Sequence, residues 1–298
     1  MSLPRARSAE IPPFPLKALQ ALLPLAFAED EGPGDVTSEA TLDAGHRSHA
    51  ALVCKEDGVL AGAPALEAVF RHRGLAPRLE WRVAEGDAIR KGQILARLED
   101  ETRGLLVCER IALNFLQRLC GVATAARDYA EAAAPTRVLD TRKTVPGYRE
   151  LDKYAVAIGG GLNHRQGLFD QILIKDNHAA ACGSVRAAAD KSLSRFGHAY
   201  KIEAEVRTLA EIESLLDAPI DILLLDNMDD ETLARSVELV RRNAPHLKLE
   251  ASGNMDLERV RRLANFGLDF ISVGALTHSV KALDLSLKIG SFIPEELS

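Results

Sequence analysis

Four cysteines at irregular spacing, with no Cys-x-x-Cys pair, suggest neither a zinc site nor a disulfide framework in this 298-residue chain. Cys54, Cys108, Cys120 and Cys182 read as buried thiols of a reducing compartment. Long apolar runs are also missing. The stretch from Leu22 to Ala28 is broken by Pro24 and too short to span a bilayer, and the opening MSLPRARSAEIPPFP has no apolar core of signal-peptide length. A cytoplasmic protein that does not enter a membrane is expected. Positive charge is in deficit, with a formal net charge of -6, so there is no broad basic field for a nucleic acid.

Within this acidic chain one stretch concentrates cations: Asp140 to His178, DTRKTVPGYRELDKYAVAIGGGLNHRQGLFDQILIKDNH. It holds Arg142, Lys143, His164, Arg165 and Lys175 between two apolar runs that each end in charge. A local basic cluster on an acidic protein points to a small anionic ligand in a pocket.

At its length the chain makes one large domain or two ordinary ones, and a composition 47% hydrophobic and 27% charged is that of a globular protein. Residues 1–15 read as a flexible, proline-rich arm. Residues 16–112 read as an N-terminal α+β sandwich domain, 113–276 as an α/β barrel, and 277–298 as a C-terminal segment packing back on the first domain. Leu16 to Ala28 has helical apolar spacing and runs into the acidic turn EDEGPGDVTSEATL. Glu29, Asp30, Glu31 and Asp35 could bind a metal there, but a solvated loop with Asp35 or Thr37 as a helix cap is the better reading. From His49 to Glu99 short alternating runs with Gly-containing turns read as strands. The run around Glu85-Gly86-Asp87 and Lys91-Gly92-Gln93 looks like a biotinyl-carrier hairpin but lacks a modifiable lysine at a tip. His46 and His49 form an HxxH spacing with no third ligand nearby, which suits surface histidines.

Residues 109–124, ERIALNFLQRLCGVAT, predict a helix with Ile111, Phe115, Leu119 and Val122 on one face. Arg110, Asn114, Gln117, Arg118 and Gly121 trace a polar stripe that either meets solvent or faces a ligand or partner. After Pro135 six near-continuous apolar β runs follow: 137–140, 171–174, 201–206, 222–225, 247–251 and 270–273. Helical segments at 185–196, 209–217, 231–243 and 257–266 separate them, so a parallel sheet with right-handed crossovers is expected.

Each run ends in polar residues or glycine, and ligands of parallel α/β folds bind at those ends. Six segments delivering groups to one place favour a six-stranded parallel α/β barrel over an open sheet. The first two units supply cations and the next two supply the carboxylates of Glu205 and Asp226, suited to a ribose hydroxyl or Mg²⁺. The last two are small, Ser252-Gly253 and Gly274, and suit close approach of backbone amides to a phosphate. Glu203 shares a strand face with Glu205, and buried carboxylates there need a partner such as Lys175 or Lys143. Either lysine could also form a Schiff base, which leaves a phosphosugar aldolase open as an alternative.

In this order and spacing, ERIALNFLQRLCGVAT, the Asp140 to His178 stretch, IEAEV, ILLLDNM, LEASGN and ISVGALTHS resemble the quinolinate phosphoribosyltransferase family. The likeness runs from GPGDVTSEATL to ALDLSLKIG. It implies conversion of quinolinate and phosphoribosyl pyrophosphate to nicotinate mononucleotide, pyrophosphate and CO2, with Mg²⁺, in NAD biosynthesis. It also implies a homodimer in which one subunit's N-terminal domain covers the other's barrel mouth. By this resemblance Arg142, His164, Arg165 and Lys175 hold the quinolinate carboxylates, with Thr141 and Lys143 beside them and Arg110 reaching in from the partner subunit. Glu205 and Asp226 handle ribose and metal. Ser252, Gly253 and Asn254, with Val273, Gly274 and Ala275, cradle the 5′-phosphate, and Asn254 stands where many members carry glycine. Lys143, Lys175, Glu205 and Asp226 form the implied catalytic set. A relative with the same barrel and another anionic acceptor is the nearest competing reading.

Overall fold

A computed structural model describes residues 11–290. Of the expected arm only residues 11–15 are among them, and they form no regular element; residues 291–298 of the C-terminal segment also lie outside the described residues.

The chain opens with α1 (Leu16–Asp30), which buries Leu19, Leu23 and Phe27 along one stripe. Glu29 and Asp30, expected in a turn, complete this helix. Asp35 then caps α2 (Val36–Thr41), its carboxylate accepting the backbone N–H groups of Thr37 and Ser38. There follow β1 (Arg47–Cys54), β2 (Gly58–Val59), α3 (Ala63–His72), β3 (Arg78–Trp81), β4 (Ala88–Ile89) and β5 (Ile94–Glu101). Next comes α4 (Thr102–Ala133), a helix of 32 residues where the sequence pattern marked only 109–124.

After α4 the chain runs through β6 (Arg137–Leu139), α5 (Arg149–Gly159), β7 (Ile172–Ile174), α6 (Asp176–Cys182), α7 (Val185–Phe196), β8 (Ile202–Val206) and α8 (Leu209–Glu213). It closes with β9 (Ile222–Asp226), α9 (Asp230–Asn243), β10 (Lys248–Ser252), α10 (Leu257–Leu263), β11 (Phe270–Ser272), α11 (Ala275–His278) and β12 (Leu285–Ile289). Helix starts follow local chemistry. The side chains of Ser184, Thr208, Asp229 and Asp256 accept backbone N–H groups at the first turns of α7, α8, α9 and α10.

Two compact units result: one takes in the described residues up to Arg127 with 144–160 and those from Ser279 on, the other 128–143 with 161–278. The boundaries expected from the sequence are 112/113 and 276/277. An uninterrupted α4 runs through the first of them, and α5 joins the first unit although it lies between β6 and β7 in the chain. The cause is close packing: a Cβ on Gly159 at the end of α5 would lie 2.3 Å from the Ala123 carbonyl oxygen of α4.

In the first unit an antiparallel sheet has the order β12-β1-β5-β3, with β12 paired to β1 from Ala50↔Ile289 to Cys54↔Leu285. The polar stripe of α4 is largely consumed inside this unit. Gln117 donates to the Leu285 carbonyl at 2.8 Å, Arg118 holds Asp152 at 3.0 and 2.9 Å, and Gly121 meets the Lys281 carbonyl. Only Arg110 and Asn114 of the stripe are exposed.

In the second unit all six strands are parallel, in the order β6-β11-β10-β9-β8-β7. Helices cover their outer sides, and β8 is buried at every residue, as strands covered on both faces are. The sheet edges β6 and β7 do not pair. Instead β6 bonds Leu162, with Asp140 N–H donating to its carbonyl at 3.0 Å and its own N–H donating to Val138 at 2.8 Å.

The Gly159 contact gives a stability prediction. Gly159→Ala forces a methyl group into backbone and should destabilise the protein by about 1–3 kcal/mol in denaturant titration; a change within error would show that α5 is held elsewhere.

Candidate active site

The carboxyl ends of the parallel strands open into one cavity of about 680 Å³ lying wholly within the second unit. Thr141, Arg142 and Lys143 reach it after β6, Lys175 after β7, Asp226 from β9, Ser252 from β10 and Gly274 after β11. A flat sheet of this order would spread these ends along a line, so their convergence is the mark of a barrel.

The cationic end is built on backbone bonds. Asp140, with no exposed surface, accepts the His164 N–H at 2.8 Å, and the His164 Nδ1 accepts the Arg165 N–H at 2.7 Å. Arg165, 9% exposed, donates from its guanidinium to the Gln171 carbonyl at 3.1 Å. Burial, and then the nearby Arg142 charge, lowers the Arg165 guanidinium below its ordinary pKa. Lys175 Nζ donates to Glu205 Oε2 at 2.7 Å, which joins the cations to the carboxylates. An ammonium held in an ion pair is a poor amine nucleophile, which weighs against a Schiff base at Lys175.

At the carboxylate end Asp226 accepts from Ser252 Oγ and Asn227 Nδ2, each at 2.7 Å. Arg207, half exposed, reaches Asp176 at 3.1 Å, Glu205 at 3.2 Å and Asp226 at 3.3 Å. The sequence reading had not marked Arg207, although it follows Glu205 at strand spacing. Opposite lies Gly253 with φ +95, where a Cβ would fall 2.1 Å from Asn227 Oδ1; only glycine fits. Asn254 takes the left-handed conformation beside it, φ 49. Gly274 lies against Lys143 and His278, and His278 is a lining residue the sequence had not marked.

Most expected site residues therefore line one cavity: Thr141, Arg142, Lys143, His164, Arg165 and Lys175, together with Asp226, Ser252, Gly253, Asn254, Gly274 and Ala275. Glu205 joins through its bond to Lys175. Val273 does not: it is fully buried and its N–H is spent on the Leu139 carbonyl at 2.9 Å, so it has no amide left for a phosphate. Arg110 is exposed on α4 and is not among the cavity's lining residues.

Beneath the cations lie two carboxylates without solvent exposure, Glu203 and Glu250. Burial, and then the Glu203 charge beside it, pushes the Glu250 carboxyl up to about 8. Glu250 had been missed, though it precedes Ser252 at the i, i+2 spacing that relates Glu203 to Glu205, which puts each pair on one strand face.

Fold and cavity together define an α/β barrel with a cation-rich cavity at its strand ends. Comparison with known proteins narrows this. Residues 35–120 match the quinolinate phosphoribosyl transferase N-terminal domain and 122–288 the C-terminal domain of the same enzyme. The chain is 40% identical over 98% of its length to quinolinate phosphoribosyltransferase [decarboxylating] 2a of Nicotiana tabacum, covering 89% of that protein. It is also 40% identical to the chloroplastic nicotinate-nucleotide pyrophosphorylase [carboxylating] of Arabidopsis thaliana, across 96% of this chain and 87% of that one. The crystal structure of NadC from Streptococcus pyogenes superposes with a TM-score of 0.86 at 37% identity, covering 91% of this chain and 97% of that one. The chain belongs to the quinolinate phosphoribosyl transferase family.

The raised Glu250 pKa sets a pH dependence. In the folded protein this carboxyl keeps its proton to about pH 8, whereas unfolded it releases it near its ordinary value of 4.5. Its contribution to stability is full below that lower value and is lost as pH rises through the folded one. Chemical denaturation at a series of pH values should show this slope in the wild type and not in Glu250→Gln; equal slopes would contradict the assignment.

Proposed function

We propose that this chain transfers the phosphoribosyl group of phosphoribosyl pyrophosphate to quinolinate, with loss of CO2, yielding nicotinate mononucleotide and pyrophosphate for NAD biosynthesis. Family membership supports the reaction, and the observation that carries it into this molecule is the gathering in a single cavity of Arg142, Lys143, Arg165 and Lys175, the Asp226 carboxylate and the turns at Gly253 and Gly274.

A planar dicarboxylate needs several cationic donors, and Arg142, Arg165 and Lys175 stand together with Lys143 beside them. Ser252, Gly253 and Asn254 offer a turn without side-chain bulk to the 5′-phosphate, with Gly274 and Ala275 facing it. Its donors are the loop amides, because the first turn of α10 is already capped by the Asp256 carboxylate. Glu205 and Asp226 suit the ribose hydroxyls and a positive ribose carbon in the transition state.

In the reaction the ring nitrogen bonds to the ribose C1′ as the C–O bond to pyrophosphate breaks. The pyridinium so formed accepts the electron pair released when the 2-carboxylate leaves as CO2, and a proton then takes that ring position. Arg142, Arg165 and Lys175 orient the ring for both steps, and no covalent nucleophile is required. The hard carboxylate oxygens of Glu205 and Asp226 are the donors that would hold a Mg²⁺ ion, in place of the Lys175 and Arg207 cations that now bond them. When bound, Mg²⁺ would neutralise charge on the pyrophosphate. Homodimerisation with shared sites is part of this proposal. Arg110 is exposed on α4, and Leu168 and Phe169, 73% and 72% exposed, are apolar side chains that a second copy would cover. No helix among the described residues is long and apolar enough to cross a membrane, and cytoplasmic residence is the reading adopted for this chain.

Purified protein given quinolinate, phosphoribosyl pyrophosphate and Mg²⁺ should release nicotinate mononucleotide, pyrophosphate and CO2 in equal amounts, and nicotinate should not substitute. Turnover of nicotinate without CO2 would overturn the acceptor assignment. Lys175→Ala and Arg142→Ala should each lower kcat/KM by at least about 10- to 100-fold, the worth of a hydrogen bond to a charged group; full activity in either would remove that residue from the site.

A further inference from the structure

Arg259 stands in the first turn of α10 and is not among the residues that line the cavity. Its side chain is only 15% exposed, and a guanidinium so covered needs partners. It finds them in two backbone carbonyls. Nη1 donates to the Gly253 carbonyl at 2.9 Å and Nη2 to the Met228 carbonyl at 2.5 Å, while Nε lies 3.4 Å from Asp230 Oδ1. Met228 belongs to the turn after β9 and Gly253 to the turn after β10, so one side chain spans both. The proposed reaction gives it no task.

Both turns hold backbone conformations that need support. Asn227 and Asn254 have φ 53 and 49, in the left-handed region that residues other than glycine enter at a cost. The turns also interlock. The Asn227 N–H donates to the Ser252 carbonyl at 3.0 Å, and the Asn227 side chain fills the space that a Cβ on Gly253 would take. Arg259 supplies the remaining tie, and its own N–H is fixed by the Asp256 carboxylate at 2.7 Å.

Holding a carbonyl also sets an amide. The Gly253–Asn254 peptide is trans, so its C=O and N–H point in opposite directions. With the carbonyl tied to Arg259, the Asn254 N–H is directed away from the guanidinium. Among the described residues no group accepts that N–H, and Asn254 lines the cavity. A charge-assisted bond at the carbonyl polarises the peptide and strengthens its N–H as a donor. The bond to Met228 anchors the turn that follows Asp226 in the same way. We propose that Arg259 is a positioning residue: it aims the Asn254 amide at the 5′-phosphate and fixes the span from this turn to Asp226, the carboxylate at the ribose. A lysine ammonium, a single point charge, does not reproduce the fork that reaches both carbonyls. The proposal rests on the phosphate turn of the function proposed above.

The test is Arg259→Met, which keeps the apolar stem and removes the donors, with Arg259→Lys beside it. Calorimetric titration with ribose 5-phosphate should give a Kd about 10- to 100-fold weaker in Arg259→Met than in the wild type, the loss expected for hydrogen bonds to a charged group. KM for phosphoribosyl pyrophosphate should rise with it, KM for quinolinate should stay within about threefold, and Arg259→Lys should recover part of the loss. An unchanged ribose 5-phosphate Kd in Arg259→Met would contradict the proposal. So would equal losses for ribose 5-phosphate and quinolinate, the mark of a general loosening of the fold. If Arg259→Met does not fold, Arg259→Lys decides by the same selective loss. Wild-type protein that binds ribose 5-phosphate but does not turn over quinolinate would defeat the acceptor assignment, and the titration would still decide the role of Arg259. Wild-type protein that does not bind ribose 5-phosphate would defeat the phosphate turn and this proposal with it.

Discussion

The ion pair between Lys175 and Glu205 is where the chemistry of this molecule is held in balance. It joins the end of β7 to the end of β8 at 2.7 Å, and with Glu205 only 5% exposed neither charge is easily left alone. Removing one partner of such a pair leaves an uncompensated charge at the edge of the core. Around this seam the cavity is ordered by sign. The cations that follow β6 and β7 lie on one side. On the other, Asp226 is held by Ser252 and Asn227, and Arg207 spans the acidic groups. Under the proposed function an arriving dicarboxylate would compete with Glu205 for Lys175.

The second layer lies deeper. A barrel interior is costly for unpaired polar atoms, yet Glu203, Glu250, Asp140 and Ser272 are all buried there. Asp140 accepts the His164 amide, Glu203 the Gln171 amide and Glu250 the Ser272 hydroxyl, and these bonds offset part of that cost and restrict the groups that make them. Rigidity is what an enzyme relying on orientation needs, since a small misplacement of the ring relative to the ribose carbon is costly in rate.

The barrel was legible because parallel strands covered on both faces leave near-continuous apolar runs, and six of them appear between Arg137 and Val273. The strand ends were legible for the same reason, being the polar residues where each run stops. Helix α3 was hidden among strand-like alternations, and α5 begins at Tyr148 with no Ser, Thr or Asp cap to announce it. The place of α5 in the first unit could not be read, because it rests on the contact of Gly159 with α4, a non-local fact. Val273 was placed in the phosphate cradle by position in a motif, but its amide is spent on the ladder to Leu139.

The measurement that bears most directly on this account is a crystal structure of the protein with quinolinate bound. The account predicts both carboxylates within hydrogen-bonding distance of Arg142, His164, Arg165 or Lys175, and the ring nitrogen turned toward Glu205 and Asp226. Carboxylates resting against the Ser252–Asn254 turn would contradict it.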